Sequence, residues 1–244
     1  MSESLLNPDL DLNALRAAFQ QRGRVKVPHV LRADFAHSIA DSLHGEIPWQ
    51  LAFYNPSASG KAVVGRLSPA EQEAVNEAQR AALLARVERE AQSQFQYLYD
   101  AYDVLNARRN GQDLQLGVQR FLDFLGTDEL WDFMHAVSGS QAFDKVDCHA
   151  CRYRPGHFLR EHGDHSPFEQ RHMAYVFYFT RDWHADFGGV THFLDEQGVI
   201  RDSYAPDFNS LTLFRVPVAH NVSQIASYAP GARYSITGWF TRSR

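Results

Sequence analysis

His162-Gly163-Asp164, inside the run Tyr153-Arg-Pro-Gly-His-Phe-Leu-Arg-Glu-His-Gly-Asp-His165, is the stretch with the strongest chemical potential in this chain. On an extended strand, residues i and i+2 point to one face. The spacing therefore predicts that the His162 imidazole and the Asp164 carboxylate converge on one metal ion, with Gly163 on the other face. A third ligand must come from a neighbouring strand, and His220 in Phe214-Arg-Val-Pro-Val-Ala-His-Asn-Val222 is the best candidate. Two imidazoles and one carboxylate leave several positions of a ferrous ion open to exogenous ligands, the arrangement of non-haem Fe(II) oxygenases.

Downstream of His220 lies Arg233-Tyr-Ser-Ile-Thr-Gly-Trp-Phe240. Arg233 and Ser235 share a strand face, and a guanidinium grips a carboxylate through a planar fork. The pair offers a fixed handle for an anionic cosubstrate. Tyr178, in Ala174-Tyr-Val-Phe-Tyr-Phe-Thr180, has a hydroxyl that could reach the same carboxylate. A second His-x-Asp, His184-Ala-Asp186, sits beside Gly188-Gly189 and reads as loop surface. His149, His157, His165, His172 and His192 have no partner pattern and read as surface or packing residues.

Positioning these groups requires strands. From Phe143 onward, short strands punctuated by Gly, Pro, Asp and Asn are predicted at 143–153, 157–162, 173–180, 189–194, 199–203, 210–215, 219–224 and 232–241. Their number and spacing argue for a sandwich or jelly roll rather than a βαβ sheet. Upstream, helices are predicted over 10–22, 32–43, 68–92, 114–125 and 128–137, with strands at 25–27, 49–54, 61–64 and 93–99 and a polar loop at 106–113. The fold expected is mainly β with flanking helices: a jelly-roll core over 143–244, buttressed by an N-terminal elaboration over 1–142. The Asn55–Gly65 connector, rich in Pro, Ser and Gly, is expected to border the site.

Composition narrows the function classes. The 244 residues are 44% hydrophobic, enough for a full core, with a net charge of -5 and no basic run. A nucleic-acid or membrane-surface role is therefore not suggested. No signal-like N-terminus and no long apolar run appear, so a cytoplasmic protein is expected. Cys148 and Cys151 form a Cys-x-x-Cys, but no second pair completes a zinc site, and two reduced cysteines in a strand is the expectation.

From Tyr153 to Phe240 the chain resembles the Fe(II)/2-oxoglutarate-dependent dioxygenases of the prolyl-hydroxylase-like branch. The resemblance rests on His162-x-Asp164, Tyr175-x-x-Tyr-Phe-Thr-Arg-Asp-Trp183, Gly188-Gly189, Phe208-Asn-Ser-Leu-Thr-Leu-Phe214, His220 and the Arg233–Phe240 ending. With Phe95-Gln-Tyr-Leu-Tyr99, that ending looks most like the ribosomal prolyl hydroxylases. Eukaryotic members of that group carry a second, degenerate jelly roll for which this chain has no room. The resemblance implies that His162, Asp164 and His220 bind iron and that Arg233, helped by Tyr178, binds the distal carboxylate of 2-oxoglutarate. It places Tyr153 beside the cosubstrate, Val176 and Val222 along its pocket and Trp239 at the base. It further implies Fe(II), 2-oxoglutarate and O2, with ascorbate as an auxiliary, and a prolyl residue of a protein or peptide as substrate, a translation component among the candidates. Succinate and CO2 would be coproducts. Hydroxylation of a small molecule and a non-catalytic jelly-roll binding module are the alternatives.

Overall fold

The structure, a computed structural model, describes residues 4–56 and 62–242. Helix α1 (Leu12–Arg22) starts where the Asp11 side chain accepts from the Ala14 amide, and it stops at Gly23, whose φ of 68° suits glycine. Strand β1 (Arg24–Pro28) and helix α2 (Ala33–Gly45) follow. Strands β2 (Gln50–Pro56) and β3 (Ala62–Leu67) form a hairpin.

The predicted helix over 68–92 is two helices, α3 (Pro69–Ala74) and α4 (Glu77–Ala91). Ser68 and Glu71 form the expected capping box, but Asn76 and Gln79 form a second one that restarts the helix. The strand placed at 93–99 lies further on, as β4 (Tyr97–Asp103). Part of the predicted polar loop is helix α5 (Val104–Arg109), which starts because the Asp103 carboxylate caps the Asn106 amide. Helices α6 (Gln119–Leu125) and α7 (Asp128–Ser138) complete the N-terminal part.

The remaining strands are β5 (Lys145–Val146), β6 (His149–Tyr153), β7 (Phe158–His162), β8 (Gln170–Tyr178), β9 (Thr191–Leu194), β10 (Ile200–Tyr204), β11 (Ser210–Arg215), β12 (His220–Val222) and β13 (Arg233–Arg242). The predicted 143–153 strand is thus interrupted between β5 and β6. There the Asp147 carboxylate accepts from the Trp239 amide at 2.5 Å and the Asp147 carbonyl from the Tyr175 hydroxyl at 2.6 Å.

Hydrogen-bonded neighbours run β1-β11-β8-β13-β6-β4-β7-β12-β9-β10, with β2 and β3 extending from β4 and β5 beside β13. All pairings are antiparallel. One sheet runs from β1 to β4 and a smaller one from β7 to β10. Strand β4 joins them, pairing with β6 through Asp100–Asp103 and with β7 through Tyr97–Leu98. The result is a nearly closed jelly-roll barrel.

Pleating then sorts the side chains of β13 and β8. Tyr234, Ile236 and Phe240 of β13, with Tyr175 and Phe177 of β8, turn outward into the main core. There they meet Phe35 of α2, Phe121 and Phe124 of α6, and Met134 of α7. Phe121 packs edge-on against both Phe177 and Phe179, with ring centroids 5.1 and 5.7 Å apart. Arg233, Ser235, Thr237 and Trp239 of β13 occupy the opposite face, toward the barrel interior. The helices thus buttress the sheet that carries Arg233. A smaller core of Leu51, Phe53, Val87, Leu98 and Phe158 holds α4 against β2 and β4. No helix among the described residues is long and apolar enough to cross a membrane.

Candidate metal centre

Strands β7 and β12 bring the three expected ligands together. His162 and His220 are direct partners in the ladder, with rings 4.1 Å apart. His162 Nε2 lies 3.2 Å from one Asp164 oxygen and His220 Nε2 lies 3.4 Å from the other. One ligand atom from each residue falls within 4.8 Å of the others, and among the described residues this is the one such group of His, Cys, Asp or Glu.

The route to this convergence differs from the strand geometry expected. Strand β7 ends at His162, and Asp164 has a φ of 57°, in the left-handed region. A turn, not the pleat, swings the carboxylate back over the imidazole. Asp tolerates that conformation better than most residues.

The protonation states suit a cation. Each imidazole has its Nδ1 against a backbone carbonyl, His162 to Arg160 at 3.0 Å and His220 to Val218 at 2.8 Å. A carbonyl only accepts, so both Nδ1 atoms carry the proton and both Nε2 lone pairs face the carboxylate. Burial, reinforced by His162, lowers the His220 pKa to about 4, so the ring is neutral at physiological pH. Burial acts to raise the Asp164 pKa, but the adjacent His162 and His220 outweigh it and hold the group below its ordinary value. Two imidazole nitrogens and one carboxylate fit a divalent transition metal.

The three residues line a cavity of about 600 Å³ that also contains Arg233. Arg233 is 2% exposed. Its Nη1 donates to Ser235 Oγ at 3.3 Å, and its guanidinium lies 4.8 Å from the Tyr153 ring centroid and 5.1 Å from that of Tyr178. Its Nε is buried with no partner among the described residues, an orphaned donor on a buried cation, and an anion supplies what it lacks. Gly189 makes room for it: a Cβ there would come within 2.8 Å of Arg233 Cδ.

Tyr153, Ser235, Val176, Val222 and Trp239 all line the cavity as expected. Tyr178 does not. It is fully buried, and its hydroxyl is 3.0 Å from Thr191 Oγ1. Thr191 does line the cavity, and the Tyr178 ring lies between it and the Arg233 guanidinium, 5.1 Å from the latter.

The sequence reading also missed several residues of the wall. Tyr97, Tyr99 and Leu159 line it, as do His165 and Arg171, whose guanidinium lies 3.6 Å from the Trp239 ring centroid. Alternation in Phe95-Gln-Tyr-Leu-Tyr99 marks a strand, but only the register of β4 against β7, with Tyr97 opposite Leu159, turns Tyr97 and Tyr99 inward. Cys151 is in the cavity wall and Cys148 in the main core, on opposite faces, both unpaired. Burial pushes the Cys151 thiol up to about 12, so it stays protonated and is no thiolate ligand. His184 precedes and Asp186 lies within the short 3-10 turn Ala185–Phe187, both exposed, as expected for surface. His157, by contrast, is a buried packing residue.

Comparison with known proteins gives this geometry a family. The 2OG-Fe(II) oxygenase superfamily matches residues 148–241, a span that includes His162, Asp164, His220 and Arg233. Over that span the chain is similar to the 2OG-Fe(II) oxygenases. The prolyl 3-hydroxylase OGFOD1 of Mus musculus is 30% identical over 151 residues, 59% of this chain. The chain spans 26% of that relative's length. A Pseudomonas putida prolyl-4-hydroxylase superposes with a TM-score of 0.58 at 20% identity, covering 95% of this chain and 99% of that one. A Trichoplax adhaerens prolyl hydroxylase, solved in complex with a hypoxia inducible factor peptide fragment, gives 0.61 at 13% identity over 94% and 88%. These two likenesses establish that the oxygenase domain and the N-terminal elements share one fold with prolyl hydroxylases.

Proposed function

We propose that this chain is an Fe(II)- and 2-oxoglutarate-dependent dioxygenase that hydroxylates a prolyl residue in a protein or peptide. The observation that carries the reading is the presence, in one cavity, of His162, Asp164 and His220 at one place and the buried, under-coordinated Arg233 at another. Those are the two fixed points that a metal-chelating dicarboxylate needs.

In this reading His162, Asp164 and His220 hold the ferrous ion. Arg233 and Ser235 take the distal carboxylate of 2-oxoglutarate, with Tyr153 beside it, Thr191 steadied by Tyr178, and Val176 and Val222 against the carbon chain. Iron with 2-oxoglutarate and O2 supplies oxidative decarboxylation, giving succinate, CO2 and a hydroxylated substrate. The protein's own contribution is placement. The two Nδ1–H bonds fix the imidazoles, the aromatic wall excludes bulk water, and the fork of Arg233 orients the cosubstrate. No side chain is required as nucleophile or general base.

The prolyl substrate is supported by the relative and by the shared fold. The β2–β3 hairpin belongs to the same reading. Tyr54, toward the turn end of β2, contacts Phe95, which contacts His162, at 5.5 and 5.9 Å between ring centroids, so this end of the hairpin stands beside the cavity mouth. Residues 57–61, the centre of the connector expected to border the site, lie outside the described residues. The test is a search for proline carrying one added oxygen in the host proteome, comparing cells with and without the gene. A prolyl site lost with the gene and restored by the wild type, but not by His162→Ala, is the expected result. Succinate formation with no prolyl change anywhere would replace the protein substrate with a small molecule.

A further inference from the structure

One wall of the cavity is a series of aromatic rings linking its two fixed points. Beneath the Arg233 guanidinium lies Tyr153, at 4.8 Å, and Tyr99 stacks on Tyr153 with centroids 5.0 Å apart and planes at 17°. Tyr97 follows at 5.3 Å, then Phe95 at 5.7 Å, whose ring lies 5.9 Å from that of His162. Tyr54 closes on both Phe95 and Tyr97, at 5.5 and 6.5 Å. The series starts at the anion handle and ends against a metal ligand.

Its members differ in what they offer. Phe95 is 37% exposed and stands at the mouth, whereas Tyr97 is 8% exposed and lines the interior. Among the described residues no hydrogen-bond partner exists for the Tyr97 hydroxyl, nor for those of Tyr99 and Tyr153. A tyrosine hydroxyl in a cavity wall with no protein partner is a donor available to a ligand. Tyr153 and Tyr99 lie on the Arg233 side, next to the cosubstrate carboxylate. Tyr97 and Phe95 lie on the metal side, where an oxidisable C–H has to be presented.

We infer that Phe95 and Tyr97 form the subsite for the target residue: the Phe95 face takes the pyrrolidine ring, and the Tyr97 hydroxyl donates to the carbonyl preceding it. The inference rests on the prolyl reading above and gives that reading a recognition chemistry. An X–Pro amide has a carbonyl acceptor and no N–H. A lone hydroxyl donor beside an aromatic face matches that set. With the Tyr97 hydroxyl engaged by the carbonyl, any other residue brings an N–H for which the Phe95 face offers no acceptor, and an unsatisfied donor is costly where water is excluded.

The test uses the full chain loaded with Mn(II) and 2-oxoglutarate, so that nothing turns over. The probes are N-acetyl-L-proline N-methylamide and its alanine counterpart. Paramagnetic relaxation of probe protons reports both binding and nearness to the metal. Ring protons of the prolyl probe are expected to relax strongly and the Cα and side-chain methyl protons of the alanyl probe weakly. Tyr97→Phe and Phe95→Leu are each expected to weaken the prolyl probe about fivefold or more while Mn(II) and 2-oxoglutarate affinities and the melting temperature stay as in the wild type. Equal relaxation of both probes, no relaxation in the wild type, or an unchanged probe affinity in folded, metal-loaded Tyr97→Phe would each overturn the subsite. Succinate formation by the Fe(II) form is measured in parallel. Succinate without prolyl-probe relaxation removes this subsite and leaves the oxygenase, whereas absence of succinate removes the oxygenase reading itself.

Discussion

His162 and His220 stand directly opposite each other in the β7–β12 ladder, and each has its Nδ1 against the backbone carbonyl two residues before its own position, Arg160 and Val218. The two rings are therefore held in the same way by their own strands. Both Nε2 atoms turn to Asp164, which reaches them from a left-handed turn rather than from the strand. The site is preorganised by backbone, and metal binding needs no large rearrangement.

Removing either imidazole takes away a ligand rather than a supporting partner. His162→Ala and His220→Ala should each lose more Fe(II) affinity than the roughly 10–100-fold that follows loss of an outer hydrogen bond. His184→Ala should bind as the wild type does. Anaerobic Fe(II) titration checks all three, and equal loss in all of them would show that the ligands are misassigned.

Arg233→Lys keeps the charge and discards the planar fork. With the guanidinium 2% exposed and wedged against Tyr153, a lysine cannot reproduce both contacts. An affinity for 2-oxoglutarate about tenfold weaker is expected, with metal affinity retained. Calorimetry on the metal-loaded protein measures both, and an unchanged cosubstrate affinity would remove Arg233 from its role.

Gly189 has a φ of +67°, and a Cβ there would lie 2.7 Å from Ile225 Cδ1 and 2.8 Å from Arg233 Cδ. Gly189→Ala should therefore displace Arg233 as well as strain the backbone. The expected signature is a lower melting temperature together with weaker 2-oxoglutarate binding. A variant that loses stability alone would separate the glycine from the anion handle.

Burial lowers the His157 pKa from 6.5 to about 4. Between those values the unfolded chain binds a proton that the folded chain resists, so stability falls as pH falls from about 6.5 toward 4 and is retained above 6.5. Such a displacement corresponds to roughly 3 kcal/mol at the acid end. His220, lowered to the same value, adds in the same direction in metal-free protein. Urea unfolding of His157→Gln across this range should show a shallower pH dependence than the wild type, and parallel curves would contradict the assignment.

The strands of the core and the identity of the four principal site residues were legible because each is a local signal. Punctuation by Asp, Asn and Pro placed β11 at 210–215 as found, and His-x-Asp, His220 and Arg233 are recognisable residue types in order. Asp164 shows the limit of such reading. A one-residue spacing is compatible with a pleat or a turn, and only its backbone φ decides. Asn76 and Gln79 spell a capping box as plainly as Ser68 and Glu71 do, yet helix-forming residues on both sides hid the break. Tyr97 and Tyr99 were visible as strand residues, but which way they face depends on pairing with β7, a relationship between segments some sixty residues apart. The Tyr178 hydroxyl meets Thr191 on another strand, a contact between segments that local spacing does not show.

The central claim is that His162, Asp164, His220 and Arg233 together make an iron and 2-oxoglutarate oxygenase centre. Succinate released from 2-oxoglutarate by the purified chain, with Fe(II) and O2 supplied, tests it most directly. Wild-type protein should form succinate with multiple turnovers, even slowly and without substrate, while His220→Ala and metal-free protein should form none above the level of iron in buffer. Iron-loaded, folded wild-type protein that leaves 2-oxoglutarate unchanged, both alone and with a proline-containing peptide library, would contradict the account.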